Sequence, residues 1–257
     1  MKKMVIIILC FQAFTVFPCS IFTYQNETGT YFCGNEDWGA KDPAMFTIKA
    51  SGNEYGVVLL GWKSYLPNYP QAGINSEGLC FDWATVPAQQ YTPIKGKRDL
   101  SINATIEILK KCKTIDDVIA YISDYNFSHI AAEHILFADK AGMSCVIEYT
   151  KGERRIIKKN TSQCITNFNL SDKESGWYPC QRYEKLSLGL NTDNLGYNDL
   201  TNLLDGVHQE GNYPTIYSYI MNLTTMEISV FYNHHFNTAK KYRVEELLKK
   251  NQIISIR

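Results

Sequence analysis

The chain lacks an excess of charge of either sign. Lysine plus arginine and aspartate plus glutamate each number 26 among its 257 residues, so the formal net charge at pH 7 is zero. A nucleic-acid-binding surface needs basic residues that displace the counterions of the phosphates. We therefore expect no nucleic acid among the partners of this protein.

Long hydrophobic runs are missing after the first residues. The stretch 4–17 is almost wholly apolar and follows Lys2 and Lys3, but it is too short for a permanent transmembrane helix. No later segment approaches the ~18 consecutive apolar residues of a membrane span. We therefore expect a secretory signal peptide at 1–18, a secreted or periplasmic protein, and no permanent membrane span. The residues before Cys19 lack the small side chains that signal peptidase prefers.

Paired-cysteine motifs are also missing. None of the eight cysteines forms a CxxC pair or belongs to a recognisable disulfide framework, so a structural zinc site is not expected. His129 and His134 lack the four-residue spacing of a helical metal pair. We therefore expect no metal and no other cofactor. Most cysteines should be small buried hydrophobic residues in strands.

The order of predicted elements indicates an α+β fold. Strands are predicted at 20–25, 30–35, 44–50, 56–62, 78–83, 133–138, 143–149, 154–158, 163–167, 215–221 and 227–232. Helices are predicted at 101–112, 114–125, 180–190, 198–208 and 244–251, with Ser101 and Thr114 as candidate N-caps. Antiparallel strands separated by helix pairs favour stacked layers in one domain over 19–257. A four-layer αββα sandwich fits this order, although other α+β folds fit it too.

Cys19 is the strongest candidate for chemistry. If the signal peptide is removed before it, Cys19 carries both a thiol and a free α-amino group. An α-amine has a pKa of roughly 7.7–8.0, so part of it is neutral near pH 7 and accepts the thiol proton. One residue then supplies the nucleophile, the general base and the general acid.

Three other interpretations of Cys19 stay open at this point. It could be the acylated cysteine of a lipoprotein, although Pro18 is unlike the small residue that usually precedes such a site. It could also form a disulfide bond, or be an ordinary strand residue.

Short motifs downstream occur in a characteristic order. They are Gly34-Asn35-Glu36-Asp37-Trp38, Gly73-Ile74-Asn75-Ser76-Glu77-Gly78-Leu79, the turn and strand at 139–148, Ile165-Thr166-Asn167-Phe168, Gln181-Arg182-Tyr183-Glu184-Lys185-Leu186 and Pro214-Thr215-Ile216-Tyr217-Ser218. Together with Cys19 they resemble the N-terminal nucleophile hydrolases of the superfamily that contains choloylglycine hydrolases, penicillin V acylases, acid ceramidase-like amidases and acyl-CoA:6-aminopenicillanic acid acyltransferases. The resemblance extends from Cys19 to about Tyr232 and implies the four-layer sandwich.

The resemblance also implies roles for individual residues. Cys19 matches the nucleophile, and Asp37 matches the aspartate that orients its α-amine. Asn167 matches an asparagine that contributes its side-chain amide to the oxyanion hole. Arg182 matches an arginine near the nucleophile, where its positive charge lowers the pKa of the thiol.

Two departures from the family pattern bear on the substrate. Gly34 occupies the position at which many relatives carry an arginine. Relatives that act on bile salts carry a further polar residue after the Asn-x-x-Gly-Leu motif. In this chain Thr85 is the stronger candidate for that substrate-binding position, and Asp82 is the weaker one. The short interval from Asn167 to Arg182 leaves no room for the arm with which bile-salt hydrolases form tetramers. These differences argue against bile-salt hydrolysis.

The sequence therefore predicts hydrolysis of a linear, non-peptide amide in an N-acyl small molecule through a thioester on Cys19. Acyl transfer from the same acyl-enzyme to an amine is the nearest alternative. A lipoprotein acylated on Cys19, without catalytic activity, is the alternative of a different class. A homo-oligomer is compatible with the sequence.

Overall fold

The computed structural model describes residues 19–39, 42–100 and 103–257. In these ranges the strands are β1 Ser20–Asn26, β2 Gly29–Asp37, β3 Pro43–Ile48, β4 Val57–Trp62, β5 Ala72–Asn75, β6 Cys80–Thr85, β7 Arg98–Asp99, β8 Tyr125–Asn126, β9 Glu133–Ala138, β10 Ser144–Thr150, β11 Glu153–Lys159, β12 Gln163–Ile165, β13 Thr215–Asn222, β14 Glu227–Tyr232, β15 Lys240–Arg243 and β16 Gln252–Ser255. The α-helices are α1 Ala104–Lys111, α2 Ile115–Ser123, α3 Gln181–Gly189, α4 Tyr197–Gly206 and α5 Val244–Leu247. The predicted signal peptide and the predicted cap at Ser101 lie outside the described residues.

Two antiparallel sheets form the centre of the fold. The smaller sheet has six strands in the order β12-β1-β2-β13-β14-β15, and the larger has eight in the order β11-β10-β9-β6-β5-β4-β3-β16. Strands β7 and β8 form a separate parallel pair. Strand β1 lies between the edge strand β12 and β2, so it is paired on both sides and the residue that precedes it lies at the end of an inner strand.

Four layers result from the way in which each sheet buries both of its faces. Helices α3 and α4 pack Leu186 and Leu200 against the outer face of the smaller sheet. Helices α1 and α2 cover the outer face of the larger sheet in the same way. A third cluster, which includes Phe32 and Val58, fills the space between the two sheets. The predicted αββα sandwich is therefore confirmed.

The first hairpin forms as its turn residues predict. Asn26 Oδ1 accepts the backbone N–H of Thr28 at 2.9 Å, which closes the turn between β1 and β2. Gly29 follows with φ +151°, and a Cβ atom there would lie 2.9 Å from Thr224 Oγ1. Both the backbone angle and the close neighbour therefore require glycine at this position.

The second predicted cap is also confirmed. Thr114 begins α2 with a capping box, in which its hydroxyl accepts the backbone N–H of Asp117 and the Asp117 carboxylate accepts the backbone N–H of Thr114.

The predicted helical tail at 244–251 is wrong beyond its first turn. Helix α5 ends at Leu247, and β16 then pairs with β3 at the edge of the larger sheet. Thr47 Oγ1 accepts the backbone N–H of Gln252 at 3.0 Å and donates to the carbonyl of Lys250 at 2.7 Å. These contacts with a distant strand override the local preference for a helix.

Four further strands are absent from the sequence prediction: β5, β15, and the two-residue strands β7 and β8. Each has at most four residues, too few for a hydrophobic period to stand out.

The seven described cysteines are unpaired, as expected, and six of them are buried. Within the described residues, no helix has both the length and the apolar character needed to cross a membrane.

Alternation along β2 directs its even-numbered side chains into the space between the sheets. Phe32 belongs to the cluster between the sheets, whereas Cys33 belongs to the cluster beneath α3 and α4. Because side chains alternate along a strand, Glu36 points to the same side as Phe32. The same alternation applies to β6 of the larger sheet. Cys80 and Ala84 line the space between the sheets, so Asp82, which lies midway between them, faces this space too.

Candidate functional site

Cys19 lies immediately before β1 and is buried, with 4% of its surface exposed. Ser20 pairs with Asn35, so the antiparallel register places Cys19 next to Glu36 of β2. The Cys19 Sγ atom lies 3.8 Å from Glu36 Oε2. The nucleophile predicted from the sequence is therefore in contact with a carboxyl group that sequence reasoning did not single out.

The surroundings of Cys19 disfavour its thiolate. Burial raises the pKa of the Cys19 thiol well above its usual range. The carboxyl groups of Glu36, Asp37 and Asp82, in this order, raise the pKa further, and a hydrogen bond with the Asp37 backbone opposes them. A reactive thiolate at this position therefore needs a positive charge close to the sulfur atom.

Arg182 connects the beginning of β1 to the loop after β12. It lies in the first turn of α3, where Nη1 donates to the Cys19 carbonyl at 2.6 Å and to Ser20 Oγ at 2.7 Å. Its Nη2 atom donates to Asn167 Oδ1 at 2.7 Å. The planar guanidinium thus fixes the position of Asn167 relative to Cys19.

Asn167 also contacts the end of β6. Its Nδ2 atom donates to the backbone carbonyl of Thr85 at 2.9 Å. Since Arg182 occupies the amide oxygen, these two bonds distinguish the two ends of the Asn167 side chain and set its orientation. Thr85 therefore contacts the site through its main-chain carbonyl. Its side chain is half-buried.

Asp37 ends β2 on the same side of the molecule as Cys19 and Arg182. Thr215 donates its hydroxyl to Asp37 Oδ1, whereas Asp37 Oδ2 has no hydrogen-bond partner among the described residues. Burial raises the pKa of Asp37, although the Thr215 hydrogen bond and the charge of Arg182 lower it in part. A neighbouring ammonium group would stabilise the ionised form of this carboxyl.

Asp82 lies behind Cys19, between the two sheets. It is fully buried, Tyr219 donates its hydroxyl to Asp82 Oδ2, and its carboxyl group lies close enough to that of Glu36 for each to affect the pKa of the other. Burial raises the pKa of Asp82 to about 7, with partial opposition from the hydrogen bonds of Glu36 and Tyr219. Substrate binding by Asp82 and by Thr85 stays a prediction.

Gly34 has no room for a side chain. A Cβ atom at this position would lie 2.5 Å from the hydroxyl oxygen of Tyr219, the residue that pairs with Gly34 across β2 and β13. The tyrosine ring occupies the space that the Cβ atom of any other residue at position 34 would need. Glycine at position 34 therefore makes room for a tyrosine that donates a hydrogen bond to Asp82.

His134 and Glu148 hold the loop that carries Asn167. His134 Nε2 lies 2.7 Å from the Thr166 carbonyl, and His134 Nδ1 lies 3.5 Å from Glu148 Oε2. Glu148 accepts the backbone N–H groups of Leu170 at 2.8 Å and Ser171 at 2.7 Å. Glu148 is the last residue of the motif at 139–148, and the sequence shows no sign of its role because the loop it binds lies more than twenty residues away.

A group of possible metal ligands lies on the surface. Ligand atoms of His208, Glu210 and His234 are within 4.8 Å of one another. The two imidazole rings lie with centroids 4.5 Å apart and their planes tilted by 36°, and His208 Nδ1 is 3.1 Å from Asp205 Oδ1. Nothing else at this surface group points to a bound ion, so we assign no metal to it.

Comparisons with known proteins agree with the fold. The family model of acyl-coenzyme A:6-aminopenicillanic acid acyl-transferase matches residues 25–224. Two structures of conjugated bile acid hydrolase variants from Clostridium perfringens superpose with TM-scores of 0.69 and 0.70, at 15% and 16% identity. Both cover 93% of this chain, and the covered shares of the hydrolase chains are 96% and 97%.

Penicillin V acylase from Agrobacterium tumefaciens superposes with a TM-score of 0.70 at 12% identity and covers 91% of this chain and 90% of its own. No curated protein sequence matches the chain significantly. At these identities the superpositions establish the N-terminal nucleophile hydrolase fold, and the family model establishes the kinship. The chain belongs to the acyl-coenzyme A:6-aminopenicillanic acid acyl-transferase family.

Proposed function

We propose that the protein is an amidase that cleaves a linear, non-peptide amide bond of an N-acyl small molecule, with Cys19 as its nucleophile. The observation that carries this proposal is the contact of Arg182 with both Cys19 and Asn167 in a member of this family. Two proteins that share the fold are named for hydrolysis and acyl chemistry, a conjugated bile acid hydrolase and a penicillin V acylase, which supports this reaction class.

The proposal requires removal of 1–18, which frees the α-amine of Cys19. We expect this removal during export, so the active protein is secreted or periplasmic. Near neutral pH the amine is partly protonated, and its charge lies close enough to the sulfur atom to lower the pKa of the thiol. The unpartnered Asp37 Oδ2 atom is suited to accept a hydrogen bond from this amine and to orient it.

The reaction begins when the neutral α-amine takes the proton of the Cys19 thiol. The sulfur atom attacks the amide carbonyl carbon, and the negative charge that develops on oxygen is stabilised by hydrogen-bond donors, for which Asn167 is our candidate. The C–N bond then breaks while the ammonium group returns the proton to the leaving amine. A thioester between the acyl group and Cys19 remains.

Water completes the cycle. The α-amine takes a proton from the attacking water molecule, the carbon–sulfur bond breaks, and the proton passes to the sulfur atom as the carboxylic acid leaves. If an amine replaces water as the acceptor, the same intermediate gives acyl transfer. The family name makes this transfer our second candidate, since its members are named for it.

Gly34 and Tyr219 argue against conjugated bile acids as substrates. The arginine that many relatives place at the position of Gly34 is absent, and Tyr219 leaves no space for it. We therefore expect uncharged or weakly anionic N-acyl amides to be better substrates than bile-salt conjugates.

The test is a hydrolysis screen with protein expressed from the full 257-residue chain, using N-acyl amino acids, penicillin V, conjugated bile salts and N-acylethanolamines. We expect turnover of at least one class, and a loss of about 10⁴-fold or more in kcat for Cys19→Ala. Cys180→Ala is the matched control, because Cys180 is the one described cysteine that is not fully buried. Activity that survives Cys19→Ala contradicts the proposal, and so does a lipid thioether on Cys19 in the exported protein.

A further inference from the structure

Two carboxyl groups meet behind the sulfur atom of Cys19, one from each sheet. Glu36 of β2 and Asp82 of β6 are 1% and 0% exposed, and both side chains enter the space between the sheets. Glu36 Oε2 is the atom that lies 3.8 Å from Cys19 Sγ. The mechanism described above uses neither carboxyl group, and two buried acids beside a nucleophile need an explanation.

The hydrogen bonds around the pair indicate a shared proton. Tyr219 donates to Asp82 Oδ2, whereas Asp82 Oδ1 and Glu36 Oε1 have no donor among the described residues. The two carboxyl groups lie close enough for each to affect the pKa of the other, and because ionised carboxylates only accept hydrogen bonds, a hydrogen bond between them requires a proton on one of them. Two ionised carboxylates in contact and out of water would repel strongly.

The neighbouring groups provide little compensation for a second negative charge. The ionisable groups that face Glu36 are the Cys19 thiol, the carboxyl groups of Asp37 and Asp82, and the phenols of Tyr217 and Tyr219. The mature protein adds the α-amine of Cys19, whose positive charge is paired with Asp37 in the mechanism proposed above. The guanidinium of Arg182 acts on Asp37 and is engaged by Cys19 O, Ser20 Oγ and Asn167 Oδ1. In the described part of the chain, none of the ion pairs includes Glu36 or Asp82.

We propose that Glu36 is a further catalytic residue, whose proton, shared with Asp82, keeps a single negative charge behind Cys19 and thereby permits the thiolate to form. The proposal rests on the proposed function, because it concerns the same nucleophile. When the thiol proton moves to the α-amine, the proton that Glu36 shares with Asp82 stays on the pair. When rising pH removes this proton to solvent, two carboxylates face the sulfur atom and the thiol is harder to ionise.

The experiment measures the ionisation of Cys19 without any substrate. Iodoacetamide reacts with the thiolate, and peptide mass spectrometry separates Cys19 from the other cysteines. Alkylation rates are measured from about pH 5 to about pH 10, which brackets ordinary thiol and raised carboxyl pKa values. The protein is expressed from the full chain as wild type, Glu36→Gln, Asp82→Asn and Glu133→Gln.

Glu133→Gln is the matched control. Glu133 is also a largely buried carboxyl that accepts a tyrosine hydroxyl, that of Tyr69 at 2.5 Å, and burial raises its pKa to about 7. Unlike Glu36, it makes no hydrogen bond with the Cys19 sulfur atom.

We expect the four profiles to overlap at acid and neutral pH. At alkaline pH the alkylation rates of the wild type and of Glu133→Gln should fall below the curve for a thiol with a single ionisation. Glu36→Gln and Asp82→Asn should react about 10-fold faster than both, because a difference of one unit in the pKa of the thiol changes the thiolate fraction about 10-fold. Four identical profiles overturn the proposal. If both pair variants fail to fold, the infrared spectrum of Glu133→Gln at neutral pH decides, since a protonated buried carboxyl gives a C=O stretching band and a fully ionised pair gives none; absence of this band also overturns the proposal.

The two proposals fail separately. An alkaline difference in alkylation without turnover of any amide supports the shared proton and contradicts the amidase. Turnover that depends on Cys19, together with identical alkylation profiles, supports the amidase and contradicts the role of Glu36.

Discussion

Arg182 holds together parts of the chain that are remote in sequence. Its three hydrogen bonds reach Cys19, Ser20 and Asn167, which belong to the first strand and to a loop about 150 residues later. A guanidinium can do this because its donors lie in one plane at fixed angles. The side chain therefore acts mainly by position, and its charge is a second contribution.

Substitution Arg182→Lys separates these two contributions. Lysine keeps the charge but cannot donate to the Cys19 carbonyl and to Asn167 Oδ1 in the same geometry. We expect kcat to fall by about 10²-fold, the effect of misplacing a catalytic group by about 1 Å. Steady-state kinetics with the best amide from the screen measure the change. A rate within twofold of the wild type would show that charge alone suffices.

The pair Glu36 and Asp82 should make the folded protein less stable as pH rises. Burial raises both pKa values above those of the unfolded chain. The stabilisation is complete below about pH 4 and is lost as pH rises through about 7, the folded value for Asp82. Urea unfolding at several pH values measures this loss.

The double variant Glu36→Gln with Asp82→Asn removes both titrations. Its free energy of unfolding should change less between about pH 4 and about pH 8 than that of the wild type. Glu153→Gln, on the exposed strand β11, is the control and should follow the wild type. Equal pH dependence in the double variant and the wild type would refute the assignment.

At the scale of elements, β2 and β13 are fitted to each other around Gly34. The missing side chain of Gly34 admits the ring of Tyr219, and this ring places its hydroxyl on Asp82 of the opposite sheet. A single cross-strand pair thus links the smaller sheet to the larger one directly behind the nucleophile.

Substitution Gly34→Ala should disrupt this fit. The new Cβ atom would lie 2.5 Å from the Tyr219 hydroxyl and 2.7 Å from two ring carbons, so the ring or a strand has to move. We expect a loss of about 1–3 kcal/mol in the free energy of unfolding, as overpacked cores show. Gly206→Ala, where a Cβ meets nothing within 4 Å, is the control and should change stability little. Equal stability of the two variants would contradict this packing.

Elements with strong local signals could be predicted from the sequence, and elements made by distant contacts could not. The hairpin turn at Asn26 and the capping box at Thr114 are formed by neighbouring residues, so their patterns were sufficient. Strand β16 depends on Thr47, about 200 residues away, and the helix prediction for the tail had no access to that contact.

The same distinction applies to the site. Cys19, Asp37, Asn167 and Arg182 were identified because they belong to ordered motifs, and the structure places them around one strand end. Their roles in catalysis stay predictions. Glu36 lies inside the motif at 34–38 but was passed over, because its importance comes from Asp82 on the other sheet. The one sequence signal for its position was strand alternation, which places Glu36 on the same face of β2 as Phe32 and Gly34.

For the whole molecule, the four layers explain how the fold tolerates a very different sequence. Identity to the superposed hydrolases is only 12–16%, yet more than 90% of this chain follows their course. The architecture needs apolar residues at alternating positions in two sheets and on one face of each helix, and many sequences meet this requirement. The site depends instead on particular side chains around the beginning of β1. Unlike the core positions, these positions do not accept any apolar residue of suitable size.

The central claim is that the Cys19 sulfur carries the acyl group during the reaction. Its most direct test is acid quenching of the protein during turnover of an amide substrate, followed by peptide mass spectrometry of the N-terminal peptide. The account predicts that the mature chain begins at Cys19 and that a fraction of it gains the mass of the acyl group on the sulfur atom. Turnover with the acyl group on another residue, or with a chain that still continues before Cys19, would contradict it.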